Sequence, residues 1–590
     1  MPDSRLELVR RSLLVLVAGA LIVALAITVT GGGSWTIASI RLSVHDPIRP
    51  LLLGGVGLAI YACLFFRRIP EDLTRLDRGL ASVRPWVALT LAVLTVAVGL
   101  RWGTFAAGGD DSYGYVSQAS EWLRGDLLLD QSALARGLPW GNVDWTLTPL
   151  GATRGPLPHT IAPKYPPGLP LLMAAAEAVT GPQGPYLVVP LLGGVAVGLT
   201  FLFGSVLFDE VVGLIAALLL ALSPVFLYQL VSPMSDVPAA AAWTLALLFA
   251  VLRRPAASGL AAGLAIAIRP NLAPLVVALA WIVCPPESGP VRLTRDSTRR
   301  LLQLVAGTLP GVAGVAWFNL RVYGAPWRSG YGDLANLYAL SNVWPNLAHY
   351  AGWLLETQTP LVLAAILPFA WRAFRSPGPM DRGHVRAGLG LFLALAIASY
   401  LVFLPFDTWW YLRYLLPVLP LILVLAAGAA WMSFRGAGPR LRLALMTLLV
   451  VTVAGYEGFT ASDRGVFRLQ QREQHYIVVG HDLARTTPPN AIFISMQESG
   501  SLRLYARRWT LRWDWLSPED LDEALAALHA RGLHPYLLLE DWEEPEFRKR
   551  FAGTSVFGRL DWPPSHVWRD PTVRLYDPEA RQGGLPRSPE

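Results

Sequence analysis

Runs of about twenty apolar residues recur from residue 12 to residue 458, and no other feature restricts the fold so severely. A helix of that length matches the roughly 30 Å hydrocarbon core of a bilayer, where each backbone N–H and C=O must be satisfied within the segment. Candidate spans lie near 12–30, 49–66, 85–101, 186–207, 211–230, 237–252, 301–320, 351–371, 388–406, 414–432 and 440–458. Two shorter runs between 256 and 284 flank Arg269-Pro270-Asn271 and read as short or tilted helices meeting at a polar break. Irregular backbone at such a break is tolerated only where protein or water covers it. The chain therefore reads as a polytopic α-helical membrane protein of about thirteen crossings. Composition agrees: 15% of the 590 residues are charged, against about a quarter in soluble domains.

The arginines give the spans a direction. With the N-terminus inside, inner loops hold Arg67, Arg68, Arg75, Arg78 and Arg84, then Arg253 and Arg254, then Arg292, Arg295, Arg299 and Arg300. Arg372, Arg375, Arg382 and Arg386 follow, and then Arg435, Arg440 and Arg442. Outer loops hold only Arg41, Arg321, Arg328 and Arg413. Such asymmetry is how membrane orientation is encoded. It accounts for the net charge of +7 without any nucleic-acid partner. The first run follows Arg5, Arg10 and Arg11, lacks a small-residue cleavage site and reads as a retained anchor. Cys63 and Cys284 fall on the cytoplasmic side, so no disulfide is expected, and no Cys/His cluster suggests zinc.

Two regions do not fit as spans: an outer loop from 102 to 185, and everything beyond about 460. In the loop, Tyr115, Val116, Ala119, Trp122 and Leu123 make one apolar helix face, which reads as a helix lying flat on the outer membrane surface. Leu169 to Val179 is a second apolar stretch, interfacial or part of a span. Residues 460–590 read as a soluble α/β domain after a membrane module of residues 1–459. AIFIS (491–495) and PYLLL (535–539) are strands, and a helix with Ser517 as N-cap runs between them to Gly532, giving a βαβ-like unit. No Gly-rich phosphate loop accompanies it.

Polar residues near the outer ends of spans are the candidates for chemistry. Asp110 and Asp111 sit just beyond the third span; an acidic pair there suits a general base or a divalent cation, and equally one Asp could cap the following helix. His159, Lys164, Arg269, Arg321 and Arg413 are cations at the same level. Each could hold a phosphate or simply anchor at the interface; Arg269, at the polar break, has no obvious anchoring purpose. Outer aromatics such as Trp140, Tyr165, Tyr323, Tyr331, Trp409 and Tyr411 suit either an interfacial belt or sugar and isoprenoid surfaces.

These residues fall in motifs that resemble the GT-C superfamily of membrane glycosyltransferases, in particular the protein O-mannosyltransferases and the aminoarabinose transferase of lipid A. Gly109-Asp110-Asp111-Ser112-Tyr113-Gly114-Tyr115-Val116 resembles their first outer-loop motif, and Lys164-Tyr165-Pro166-Pro167-Gly168 the segment that closes that loop. Ser232 to Pro238, Ile268-Arg269-Pro270-Asn271, Asn319 to Pro326 and Arg413 to Pro417 match later outer motifs in order. The similarity covers roughly residues 85–430. Two spans precede the one leading into the Asp loop, where many relatives have none, and the pair is Asp-Asp where Asp-Glu is common; either Asp could be the base.

The resemblance implies a polyprenyl-phosphate-linked sugar donor, and a glycan, lipid or protein acceptor whose hydroxyl attacks with inversion at the outer face of a bacterial inner membrane. Asp110 or Asp111 would act as base. Lys164, Arg269, Arg413, His159 and Arg321 would take the donor phosphate, and Tyr113, Tyr115, Tyr165, Asp236 and Tyr323 would contact substrate. No cofactor is implied beyond the divalent cation that Asp110/Asp111 could hold. The rival reading is a transporter or flippase for a glycolipid or polyisoprenoid. It expects polar sites near the midplane and repeated halves, whereas these candidates cluster at the outer edge. A third reading puts function in the soluble domain, but so many spans exceed what anchoring needs.

Overall fold

A computed structural model describes residues 82–284 and 294–581 throughout, and residues 2–79 apart from 31–32, 38–39, 45, 47, 67, 70 and 73–78. Among the described residues, 7 helices are long and apolar enough to cross a membrane: Ile48–Phe65, Arg84–Trp102, Gly184–Leu207, Arg295–Tyr323, Gly383–Leu401, Trp409–Ser433 and Leu441–Thr486. Two bent pairs raise the number to 9, and Gly168–Thr180, Asp236–Val251 and Pro255–Ile268 are shorter apolar helices. Several of the apolar runs among the described residues are therefore bent or short. The stretch read as one span over 351–371 bends by 112° between Leu340–Gln358 and Pro360–Ala370. Thr359 at the bend has φ +60° and its hydroxyl accepts the Leu361 amide, while Pro360 cannot continue the preceding hydrogen-bond ladder. A 62° bend divides Glu210–Leu222 from Pro224–Leu230 for the same reason, at Ser223-Pro224.

The polar break at Arg269 is present. Helix Pro255–Ile268 ends there, a 3-10 turn covers Pro270–Leu272, and Leu275–Val283 resumes the helix. The first half is held by close backbone contact with Arg295–Tyr323. Gly259 and Gly263 face Gly307 and Gly311, and a Cβ on Gly311 would lie 2.0 Å from the Gly263 carbonyl oxygen. Small residues four apart on both helices permit this approach, which in a membrane supplies dispersion contact that the hydrophobic effect cannot.

Residues 491–576 contain a five-stranded sheet in the order Trp509–Leu511, Ala491–Ile494, His534–Glu540, Val573–Tyr576, His566–Trp568. Ala491–Ile494 runs parallel to both its neighbours, as a βαβ unit requires. The helix between the expected strands is Leu521–Ala530; it starts after Asp520 rather than at Ser517, whose carbonyl instead accepts the Asp520 amide in a turn.

The outer loop is more structured than its sequence suggested. It carries a three-stranded sheet in which Thr160–Pro163 lies between Leu129–Asp130 and Ala152–Arg154. Leu134, Leu138, Trp140 and Leu147 of the loop share one apolar core with Ile492, Leu511, Leu525 and Leu537 of the C-terminal sheet. Half-buried Arg503 ties the two together, donating to Gln131 Oε1 at 2.8 Å, to Thr510 Oγ1 at 2.8 Å and to the Leu147 carbonyl. Helix Asp111–Arg124 is consequently packed within the protein along much of its length. Ser112 to Val116, Gln118, Ala119 and Glu121 are all buried, while Leu123, assigned to the apolar face, is 47% exposed. Leu169–Val179 falls in the single helix Gly168–Thr180.

Candidate active site

Asp110 is the last residue before helix Asp111–Arg124, and its side chain makes no capping hydrogen bond. The capping reading therefore fails for Asp110, because the carboxylate is used elsewhere. Oδ1 accepts the Gly151 amide at 2.7 Å, and Oδ2 pairs with Lys164 Nζ. Gly151 has φ +80°, and a Cβ there would stand 2.7 Å from both the Asp110 carbonyl and the Gly114 amide nitrogen, so only glycine permits the contact. Asp111, one residue on, points to other partners. Arg413 Nη2 lies 2.8 Å from its Oδ2, and the Tyr165 hydroxyl donates to its Oδ1 at 2.5 Å. Burial by itself raises the Asp111 pKa. Arg413, the Tyr165 hydrogen bond and Lys164 outweigh that and hold it below the usual carboxylate range.

Lys164 and Tyr165 are delivered by strand Thr160–Pro163 and stopped by Pro166-Pro167 before the next helix. The Tyr323 hydroxyl donates to the Pro163 carbonyl at 2.8 Å, which fixes the backbone just before Lys164. Lys164 Nζ stands 5.6 Å from the centre of the Tyr165 ring and 5.9 Å from that of Tyr331. Arg413 lies in the 3-10 segment Trp409–Val418, 5.1 Å from the Tyr411 ring centre and 5.4 Å from that of Tyr414.

Arg269 joins the same assembly from the polar break. Its Nη2 is 2.6 Å from Asp236 Oδ1, Nε donates to Ser235 Oγ at 3.0 Å, and Nη1 to Tyr400 Oη at 3.2 Å. Ser235 Oγ also accepts the Tyr115 hydroxyl at 2.9 Å, and the Tyr115 and Tyr165 rings are 4.4 Å apart. A continuous path therefore runs from Asp111 through Tyr165, Tyr115 and Ser235 to Arg269 and Asp236. The Asp236 side chain is 1% exposed and that of Arg269 11%, so this pair is buried. Breaking such a pair costs about 3–5 kcal/mol, because one charge is left uncompensated.

Of the sequence candidates, Asp110, Asp111, Lys164, Tyr165, Arg413, Tyr115, Asp236 and Arg269 meet in this network. Tyr323 supports it from behind. Three candidates do not join. His159 pairs with Asp144 at 2.8 Å, five residues and roughly 15 Å of extended chain before Lys164. Arg321 is exposed in the last turn of Arg295–Tyr323. Tyr113 turns to the C-terminal region, where a Cβ on Gly500 would lie 2.5 Å from its ring. Ser235, Tyr400 and Tyr414 were missed. Ser235 and Tyr414 adjoin residues already singled out, but Tyr400 ends an apolar span and leaves no sequence signal. As a metal site the Asp pair fits poorly: each carboxylate already faces a cation, and a divalent ion would have to displace Lys164 or Arg413.

A family model described as dolichyl-phosphate-mannose-protein mannosyltransferase matches residues 164–306. No curated protein matches the chain in sequence. Among solved structures, ArnT from Cupriavidus metallidurans in the apo state is 14% identical, with a TM-score of 0.52 over 85% of this chain and 98% of that one. The same protein bound to undecaprenyl phosphate is 13% identical, with a TM-score of 0.48 over 84% and 98%. Archaeoglobus fulgidus oligosaccharyltransferase AglB, in complex with an inhibitory peptide and a dolichol-phosphate, is 12% identical, with a TM-score of 0.48 over 86% and 75%. A mannosyltransferase family model thus matches the stretch that carries Lys164, Asp236 and Arg269, and the fold of the chain is similar to that of apo ArnT.

Proposed function

We propose that the protein transfers a sugar from a polyprenyl-phosphate donor to an acceptor hydroxyl, with inversion, on the extracytoplasmic face of a bacterial inner membrane. The observation that carries this reading is the meeting of Asp110 and Asp111 with Lys164 and Arg413, residues from separate outer segments. The matched family is itself described by a lipid-phosphate sugar donor. Arginine-rich inner loops favour a cytoplasmic N-terminus, with the cluster outside. In this scheme residues 1–459 form the membrane transferase module, and 460–590 an extracytoplasmic domain that closes over the outer loop.

Asp110 is the base. Its side chain is 38% exposed against 23% for Asp111, so an acceptor hydroxyl can reach it. Asp111 is clamped by Arg413 and Tyr165, and its depressed pKa makes it the poorer proton acceptor. The acceptor oxygen forms its bond to the anomeric carbon from the face opposite the phosphate. The bond from that carbon to the phosphate oxygen breaks, the electron pair leaves with the phosphate, and the acceptor proton passes to Asp110. Lys164 and Arg413 balance the charge that develops on the leaving phosphate, while Arg269 holds the cluster's inner side. The test is sugar transfer from a synthetic polyprenyl-phosphate sugar by purified protein. Asp110→Asn is expected to lower kcat by about 10³-fold at unchanged protein level, within the range for a general base. Full activity in Asp110→Asn, in Asp111→Asn and in the double variant would remove the Asp base from the scheme.

A further inference from the structure

A second cluster of ionisable groups lies behind the Asp110 loop, outside the network above. His475, Glu498 and Glu540 bring one ligand atom each within 4.8 Å of one another. They come from three different places: the start of helix His475–Thr486, the turn after strand Ala491–Ile494, and the end of strand His534–Glu540. We infer that His475 Nε2, Glu498 Oε1 and Glu540 Oε1 form a binding site for a divalent transition metal, with zinc the ion that fits best.

The distances support zinc. His475 Nε2 is 3.2 Å from Glu498 Oε1 and 3.3 Å from Glu540 Oε1. Zinc bonds of 2.0–2.1 Å to nitrogen and oxygen give a tetrahedron with edges of about 3.3 Å. The supporting contacts also suit a metal. His475 Nδ1 lies 2.6 Å from the Arg472 carbonyl. If it donates there, the neutral ring keeps its lone pair on Nε2, the arrangement that orients metal-bound imidazoles. Glu540 Oε2 accepts the Trp542 indole N–H at 2.8 Å, and Glu498 Oε2 accepts the Ser501 hydroxyl. Each carboxylate thus has one oxygen held by a neighbour and the other turned to the centre. Glu498 Oε1 adds to this: it is on a residue with no exposure to solvent, it makes no well-formed hydrogen bond, and it faces His475 Nε2 across the proposed centre. Three protein ligands leave a fourth position for water.

The site's location suggests what the metal does. Residues beside the ligands grip the loop that leads to Asp110. Gln474 Nε2 donates to the Thr104 carbonyl at 2.9 Å, and Gln497 Nε2 to the Tyr476 hydroxyl at 2.7 Å. The Tyr476 ring fills the space in which a Cβ on Gly108 would stand, 1.9 Å away. The ion would cross-link the C-terminal domain at the point where it presses on this loop, as a structural centre rather than a reactive one. The rival is an imidazolium held between two carboxylates, which puts a proton on Nε2 where the metal would bind.

The test uses full-length protein in detergent. Wild-type protein stripped with a chelator and dialysed against micromolar Zn²⁺ is expected to retain about one zinc per chain by mass spectrometry. X-ray absorption should show nitrogen and oxygen neighbours near 2.0 Å with one imidazole. Reloading should raise the melting temperature. His475→Ala and the milder Glu540→Gln should each lose zinc at least tenfold, with folding checked by circular dichroism and gel filtration. Folded wild-type protein that retains no zinc, with the same melting temperature with and without the ion, overturns the site in favour of the imidazolium. Zinc retained undiminished by folded Glu540→Gln overturns it as well, by placing the ion elsewhere.

Discussion

The network that joins Asp110 and Asp111 to Arg269, here called the mouth, and the cluster behind it are built from the same kinds of side chain but in opposite proportions. At the mouth, Asp110, Asp111 and Asp236 each face a cation: Lys164, Arg413 and Arg269. In the cluster behind, two carboxylates converge on a single imidazole. A set of balanced pairs can take in an anion, because a phosphate can share the cations while the carboxylates turn to other work. A set with surplus carboxylate attracts a cation instead. Charge composition alone thus separates a site suited to a phosphate from a site suited to a metal.

The sharpest way to break this comparison is to unbalance the mouth. The Asp110→Asn loss of about 10³-fold in kcat should far exceed that of Asp111→Asn, if only Asp110 takes the proton. Equal losses would make the two carboxylates a unit. Next in size is Arg269→Ala, which strands Asp236 in a buried position. We expect a loss of about 3–5 kcal/mol in denaturation experiments, largely recovered when Asp236→Asn is added. A double variant no more stable than the single one would show that the pair matters for packing rather than charge. Arg413→Lys keeps the charge but loses the planar fork toward Asp111; kcat/KM should fall about tenfold, less than for Arg413→Ala.

A smaller effect is expected from acid. The Asp111 carboxyl is depressed in the folded protein. Its contribution to stability is therefore complete above the unfolded value of about 4, and is lost as pH falls through the lower folded value. Melting curves of wild type and Asp111→Asn should converge as pH drops below about 4. The smallest effect should come from His159→Ala. His159 pairs with Asp144 instead of joining the mouth, so sugar transfer should change less than about twofold, within the scatter of an ordinary surface substitution.

Much of the fold was legible because bilayer physics acts on local sequence. Apolar length marked the helices, and the Arg269-Pro270-Asn271 break is where the helix stops. The strands around the helix of the C-terminal region followed from two short apolar runs, AIFIS and PYLLL, on either side of a helical stretch. What local pattern could not reveal were bends whose cause is a single Ser-Pro or Thr-Pro step within an apolar run, and the strands of the outer loop. Those strands are two to four residues long, too short to carry a period. Residues around them, Leu134, Leu138, Trp140 and Leu147, pack into the core of the C-terminal sheet, while Ala162 of the middle strand packs against Phe318 and Val322.

The sequence by itself pointed to a chain that crosses a membrane, and led us to expect its acidic pair and several cations on the side poorer in arginine. Both follow from transfer energies that each segment feels independently of the rest. Only tertiary structure decided which candidates meet. Asp110 takes Lys164 and Asp111 takes Arg413, while Arg269 turns inward to Asp236 and His159 is left out. Only tertiary structure, too, brought His475, Glu498 and Glu540 together from positions far apart in the chain. Ion pairing and metal ligation act over a few ångströms, and distances of that order are set by how helices and strands pack, which no single segment encodes.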